Sequence, residues 1–199
     1  PTIAKLATLV RGSGTEEVLS AQALADAFRE LDIQPLPISR MGDVHKVIVT
    51  GANSFVGVHI VEARLGWGAS EVACLVRDGG GQTAAQRFAE SLRENRLEHL
   101  DLSRVRVYAA DITRPQLGLN DDDYQRLDRE FGALVHNAAN VNHVLDYESL
   151  ATDNVEPIFA LLRLCESPDR PMSVLIETSG VALPGAVARG ARLTPDVVV

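Results

Sequence analysis

The run Val47-Ile48-Val49-Thr50-Gly51-Ala52-Asn53-Ser54-Phe55-Val56-Gly57 decides how the rest of this chain is read. Apolar β-branched residues suit a strand, and the glycine that follows marks a tight turn. Residues 55–66 then carry a helical period. A helix begun in this way presents unpaired N–H groups in its first turn, where an anion is favoured. Gly51 permits the turn, and Gly57 lets the helix approach the strand closely. This pattern predicts a dinucleotide pyrophosphate cradle at Thr50, Gly51, Asn53, Ser54, Phe55 and Val56. Ser54 occupies the middle position, where a three-glycine fingerprint carries glycine. An isolated glycine turn would read the same way, so the surrounding pattern has to support it.

It does so on both sides. Short β-branched runs at 47–50, 72–76, 105–109, 134–136 and 174–178 alternate with helical segments at 55–66, 83–98, 121–131 and 147–165. The third of these helices opens on Asn120 as cap, has Asp121 to Asp123 in its first turn, and places Tyr124, Leu127 and Phe131 on one face. Strand–helix alternation with continuous apolar strands predicts a doubly wound parallel sheet, a Rossmann-like α/β fold. Residues 46–199 are assigned to that domain. Ahead of it, residues 15–45 read as a helix capped by Thr15, with an apolar stripe at Ala21, Leu24, Ala25, Phe28 and Leu31, and a lead-in. Residues 1–14 read as a short amphipathic helix and a Gly-Ser-Gly linker.

In such a fold, ligands bind outside the carboxyl ends of the strands, so the strand ends name the remaining candidates. The second strand ends at Arg77, where a guanidinium suits a 2′-phosphate and a carboxylate would suit a ribose hydroxyl. Arg87 is placed to close on the same phosphate, which predicts NADPH as the cofactor; Asp78 is the adjacent complication. The third strand ends at Asp111-Ile112, a carboxylate positioned to accept from an adenine amino group. The fourth ends at Asn137-Ala138-Ala139, small residues that let a nicotinamide ribose approach the backbone. The fifth is expected to bring the hydroxyl of Thr178 to the same edge.

Bulk properties narrow the classes. A net charge of −8 argues against a nucleic-acid surface, which needs clustered cations. No run of apolar residues reaches the length of a membrane span, and no secretion signal opens the sequence. Cys74 and Cys165 each sit in an apolar run and read as reduced, buried thiols, consistent with cytoplasm. The five His show no ligand spacing, so no metal site is expected. Ser54 lies outside the Gly-x-Ser-x-Gly elbow of hydrolases. His143 and Asn142 read as structural side chains.

Beyond the nucleotide pattern, the chain carries Cys74-Leu75-Val76-Arg77, Pro115-Gln116-Leu117-Gly118-Leu119, His136 to Asn142, Tyr147-Glu148-Ser149-Leu150 and Asn154-Val155. Over residues 44–181 these resemble the extended short-chain dehydrogenase/reductases, and more closely the thioester reductase domains that end nonribosomal peptide synthetase assembly lines. The N-terminal Pro1 to Ala7 is similar to the last helix of a peptidyl carrier domain. The resemblance implies hydride transfer from NADPH to a peptidyl or acyl thioester on a carrier-bound phosphopantetheine arm, releasing an aldehyde or an alcohol. It also implies that Thr178 is the catalytic hydroxyl, donating to the developing oxyanion.

Two departures accompany it. Pro157 stands where the family has glycine, so the helix there is expected to start late or bend. The proton-relay Tyr-x-x-x-Lys is absent, because Tyr108, Tyr124 and Tyr147 are followed four residues on by Ile112, Asp128 and Ala151. The family's C-terminal substrate subdomain is missing as well. The sequence is therefore expected to be either a fragment of a longer protein or a catalytically weakened form. A sugar-nucleotide epimerase or dehydratase, and a non-catalytic nucleotide-binding or carrier-docking module, remain as alternatives.

Overall fold

The computed structural model describes residues 42–142 and 144–165, and the backbone of 173–176. Five strands are present: β1 (Lys46–Thr50), β2 (Glu71–Val76), β3 (Val105–Ala109), β4 (Ala133–His136) and β5 (Ser173–Ile176). They form one sheet in the order β3-β2-β1-β4-β5, and every neighbouring pair is parallel. The order reverses between β1 and β4. That switch point opens a crevice at the carboxyl edge of the sheet.

Because strand residues alternate between faces, the sheet divides its own core. Val47, Val49, Val72, Cys74 and Val76 face one side with Val58, Val61, Leu65, Phe88 and Leu92. The last five belong to α1 (Phe55–Gly66) and α2 (Ala84–Glu94). Ile48, Ala73, Leu75 and Leu134 face the other side with Leu127, Phe131, Leu161 and Leu164. These come from α3 (Asp121–Glu130), the residue that ends it, and α5 (Glu156–Cys165). A helical layer on each face is the doubly wound arrangement expected from the alternating pattern. Burial pushes the Cys74 thiol up, which keeps it protonated inside the sheet.

The helix ends explain where the expected boundaries shift. The segment expected over 83–98 is helical only to Glu94. Arg96 adopts a left-handed φ of 58°, and the Leu97 N–H returns to the Leu92 carbonyl at 2.8 Å. That closure, with buried Leu97 beside Leu92, is a Schellman stop. The segment expected over 147–165 is two helices, α4 (Tyr147–Asn154) and α5. The chain bends at Val155, and Pro157, which lacks an N–H, sits in the first turn of α5. The departure noted at Pro157 thus appears as a break between helices.

Thr178 and His143, the helices expected within 1–41, and the end of the 174–178 run lie outside the described residues. Among the described residues, no helix is long and apolar enough to cross a membrane.

Candidate nucleotide-binding site

The carboxyl ends of β1, β2, β3 and β4 converge on a crevice of about 490 Å³. Its lining includes Gly51, Asn53, Ser54, Arg77, Arg87, Asp111, Ile112, Asn137, Ala138 and Ala139, so ten of the residues expected from sequence meet in one place. The other three in the β1–α1 segment take different positions. Thr50 is fully buried beneath the floor. Phe55 and Val56 begin α1 with their side chains exposed, leaving the backbone N–H groups as what they can offer a phosphate.

The floor is held by a single hydroxyl. Thr50 Oγ1 accepts from the N–H of Asn137 and of Ala138, each at 3.1 Å, and lies 2.8 Å from His136 Nδ1. With both lone pairs taken, the hydroxyl hydrogen is left for His136, whose Nδ1 must then be the acceptor. The network therefore assigns the imidazole as neutral and protonated on Nε2. Burial agrees, since it drives the His136 pKa below its ordinary value.

Gly51 has φ +62°, and a Cβ there would lie 2.9 Å from Ala138 Cα. Only a residue without a side chain lets the β1 turn lie this close to the β4 loop. At Gly57 a Cβ would fall 2.2 Å from the Gly51 carbonyl oxygen, so this glycine sets how near α1 approaches the loop. Ser54 does work that a third glycine cannot. Its Oγ accepts from the Gly57 N–H at 2.9 Å, capping α1, and from Asn137 Nδ2 at 2.9 Å. The same Asn137 amide donates to the Gly51 carbonyl at 3.2 Å. The β1 and β4 loops are thereby locked across the switch point. From α2, the Ser91 hydroxyl donates to the Asn53 carbonyl at 2.7 Å and fixes the outer rim.

On the β2 side, Arg77 is exposed at the crevice, and the Arg87 guanidinium donates to the Arg77 carbonyl. Asp78, the complication beside Arg77, is turned to other use. Its Oδ1 accepts from the Ala84 N–H at 2.6 Å and so serves the start of α2. Partial burial pushes the Asp111 carboxyl up. Hydrogen bonds from the Thr113 hydroxyl and N–H, with Arg77 and Arg114 nearby, outweigh that and hold it below the ordinary carboxylate range. Asp111 is accordingly an ionised acceptor.

Leu75, Ala110, Thr113, Asn140, Val141 and Asp153 also line the crevice, six residues not expected there from sequence. Five adjoin or fall within strand-end motifs already quoted, so proximity along the chain was their available signal. Asp153 adjoins the quoted Asn154-Val155, but it sits on α4 and not at a strand end, so the topology did not point to it. Asn140 and Asn154 pair reciprocally: the Asn140 N–H donates to Asn154 Oδ1 at 2.7 Å, and Asn154 Nδ2 donates to the Asn140 carbonyl at 2.9 Å. Asn140 Nδ2 also reaches Asp153 at 2.7 Å. Asn142 Oδ1 accepts from the Val144 N–H at 3.1 Å, the loop-fixing use expected of it. Among the described residues, no cluster of three or more His, Cys, Asp or Glu could hold a metal ion.

Residues 49–189 match the model of an NAD-binding family described as male sterility protein. The chain belongs to that family. It is 36% identical over 170 residues to the isonitrile lipopeptide synthase of Streptomyces coeruleorubidus, covering 83% of this chain and 11% of that protein. It is 30% identical over 140 residues to a nonribosomal peptide synthetase-like enzyme of Aspergillus fumigatus, covering 68% and 10%. Among solved structures, it is similar to the terminal R domain from the myxalamid PKS-NRPS pathway, with TM-score 0.65, 30% identity, and 77% and 40% of the two chains covered. The reductase domain of a nonribosomal peptide synthetase from Mycobacterium tuberculosis matches with TM-score 0.58 at 25% identity, covering 71% and 34%. The chain thus spans about a tenth of those curated relatives and over a third of those solved domains. Its shared portion is the NAD-binding part of a reductase domain.

Proposed function

We propose that residues 46–199 form the NADPH-binding portion of a thioester reductase that releases a carrier-bound peptidyl or acyl chain as an aldehyde or alcohol in nonribosomal peptide synthesis. In this reading residues 1–14 are the terminal helix of a peptidyl carrier domain with its linker, and 15–45 lead into the reductase. The partner is that carrier with its phosphopantetheine-linked substrate. Likeness to synthetase reductase domains supports the reading.

The residues of the crevice fit a nicotinamide dinucleotide. A side chain at Gly51 would fill the cradle, and the N–H groups of Phe55 and Val56, ahead of the Gly57 N–H that Ser54 caps, are the ones a pyrophosphate would take. Bound there, NADPH would supply the hydride, and this chain's residues would orient the substrate carbonyl. Arg77 and Arg87 would hold the 2′-phosphate, ionised Asp111 would accept from the adenine amino group, and Asn137 to Ala139 would seat the nicotinamide ribose. Thr178 would donate to the oxygen on which charge develops.

The observation that carries the choice of NADPH is the division of labour at the end of β2. Arg77 faces the crevice, while the neighbouring Asp78 is engaged by α2, where it would otherwise compete for a ribose hydroxyl. Calorimetry with NADPH and NADH tests it. NADPH is expected to bind at least about tenfold more tightly, and Arg77→Ala to remove most of that difference through loss of a charge-assisted contact. Equal affinity of the wild-type chain for the two cofactors would overturn the assignment.

A further inference from the structure

The Pro115–Leu119 run has so far been a mark of resemblance without a role. Its backbone is unusual. Gln116 (φ 52°, ψ 30°), Leu117 (φ 58°, ψ 23°) and Gly118 (φ 69°) are consecutive residues in the left-handed region. Non-glycine residues are disfavoured there, and two in succession persist only where the surroundings impose them.

The surroundings are a loop that closes on the crevice wall. The Asp111 N–H donates to the Leu117 carbonyl at 2.8 Å, and the Arg114 N–H donates to the Asp111 carbonyl at 3.0 Å. The Leu117 N–H returns to Arg114 and the Leu119 N–H to Gln116, each at 3.0 Å. Leu117 is buried in the core face shared with Leu75, Tyr108 and Leu127. An alanine-sized Cβ at Gly118 would touch the Asp111 nitrogen at 3.2 Å. One limb of the loop, Gln116 to Gly118, is therefore clamped to the other limb, Ala110 to Thr113, which lines the crevice. Leu117 points its side chain into the core and its carbonyl at Asp111. In this loop the left-handed backbone is what permits both at once.

We infer that the left-handed turn Gln116–Gly118 is a positioning element for the adenine end of the nucleotide: it sets the Asp111–Thr113 wall through the Leu117 carbonyl. This rests on the nucleotide-binding reading above. A residue that resists the left-handed region lowers the fraction of molecules with the wall in place, and apparent affinity falls by that fraction.

Gln116 is exposed, so changing its side chain alters the backbone preference and little else. The full chain carrying Gln116→Gly, Gln116→Asn or Gln116→Val is titrated with 2′,5′-ADP and with NADPH, well below its melting temperature. Gly and Asn, which tolerate the left-handed region, are expected to keep wild-type affinity. The β-branched Val is expected to weaken both ligands by about tenfold. Should Gln116→Val fail to fold, Gly118→Ala replaces it, with several-fold weaker binding expected. A folded Val or Ala variant binding as tightly as wild type overturns the inference, as does a Gly variant as weak as Val. If the wild-type chain itself binds neither ligand, the nucleotide reading falls and takes this one with it.

Discussion

Thr50→Val removes one oxygen from a fully buried side chain and leaves its shape almost unchanged, so its effect reads the hydroxyl alone. Three partners lose it: the Asn137 and Ala138 N–H groups, each at 3.1 Å, and His136 Nδ1 at 2.8 Å. A hydrogen bond contributes about 1 kcal/mol net, and a buried group left unpaired costs rather more. Destabilisation of about 3 kcal/mol is therefore expected. For a chain of this size that corresponds to a fall in Tm of roughly 6–12 °C. Thr50→Ser keeps the oxygen and loses a methyl group, so about 1 kcal/mol is expected. Thermal unfolding of the three proteins followed by circular dichroism makes the comparison. A loss below about 1 kcal/mol for Val, or equal losses for Val and Ser, would refute the view that this hydroxyl holds the floor of the crevice.

Gly51→Ala places a Cβ 2.9 Å from Ala138 Cα at a φ of +62°, so it is expected to cost about 1–2 kcal/mol of stability and to weaken NADPH binding at least tenfold. Calorimetry beside a melting curve checks both, and unchanged affinity would show that the loop is merely a turn. His136 is held neutral in the folded state, with its pKa lowered by burial, whereas in the unfolded chain it titrates near an ordinary value of about 6.5. Above that pH both states are neutral and nothing is lost. Below it the unfolded state takes up a proton that the folded state refuses, and stability falls by up to about 1.4 kcal/mol per pH unit. Chemical denaturation between pH 7.5 and 5.5 should therefore show a steeper loss for wild type than for His136→Gln, and parallel curves would contradict a His136 held neutral by the fold.

Much of the fold was legible because its signals are local. A β-branched run such as Val47 to Thr50, a cap such as Asn120 and a glycine such as Gly51 each act within a few residues. The strand starts at Lys46, Glu71 and Ala133 each lie one residue before the expected run, since pairing with a neighbour extends a strand beyond its apolar stretch. The stop at Arg96 was not legible, because arginine carries no signature for a left-handed cap and Leu97 burial supplies the reason for it. The helical segment over 147–165 divides into two at Val155, just ahead of the Pro157 from which a late start or bend was expected, while the pairing of Asn154 with the Asn140 backbone is an interaction no local pattern announces. Within the site, residues at strand ends were found from topology alone. Asp153 and Ser91, brought in from helices, were not.

The crevice is held less by apolar contact than by side chains spent on backbone. Thr50 serves the β4 loop, Asn137 the β1 loop, Ser91 the Asn53 carbonyl, and Asn154 the Asn140 peptide. Each bond ties a loop at the carboxyl edge to a neighbouring strand end, helix or loop, where the sheet's own ladder has ended and the backbone would otherwise be free to drift. A nucleotide site needs this, because backbone N–H groups bind a phosphate only when they are aimed before it arrives. Substituting an apolar isostere at any of these positions would preserve volume and lose aim. Affinity should therefore be more sensitive than overall stability to changes in the half-buried members of this set, Asn137 and Asn154, and the reverse should hold for buried Thr50.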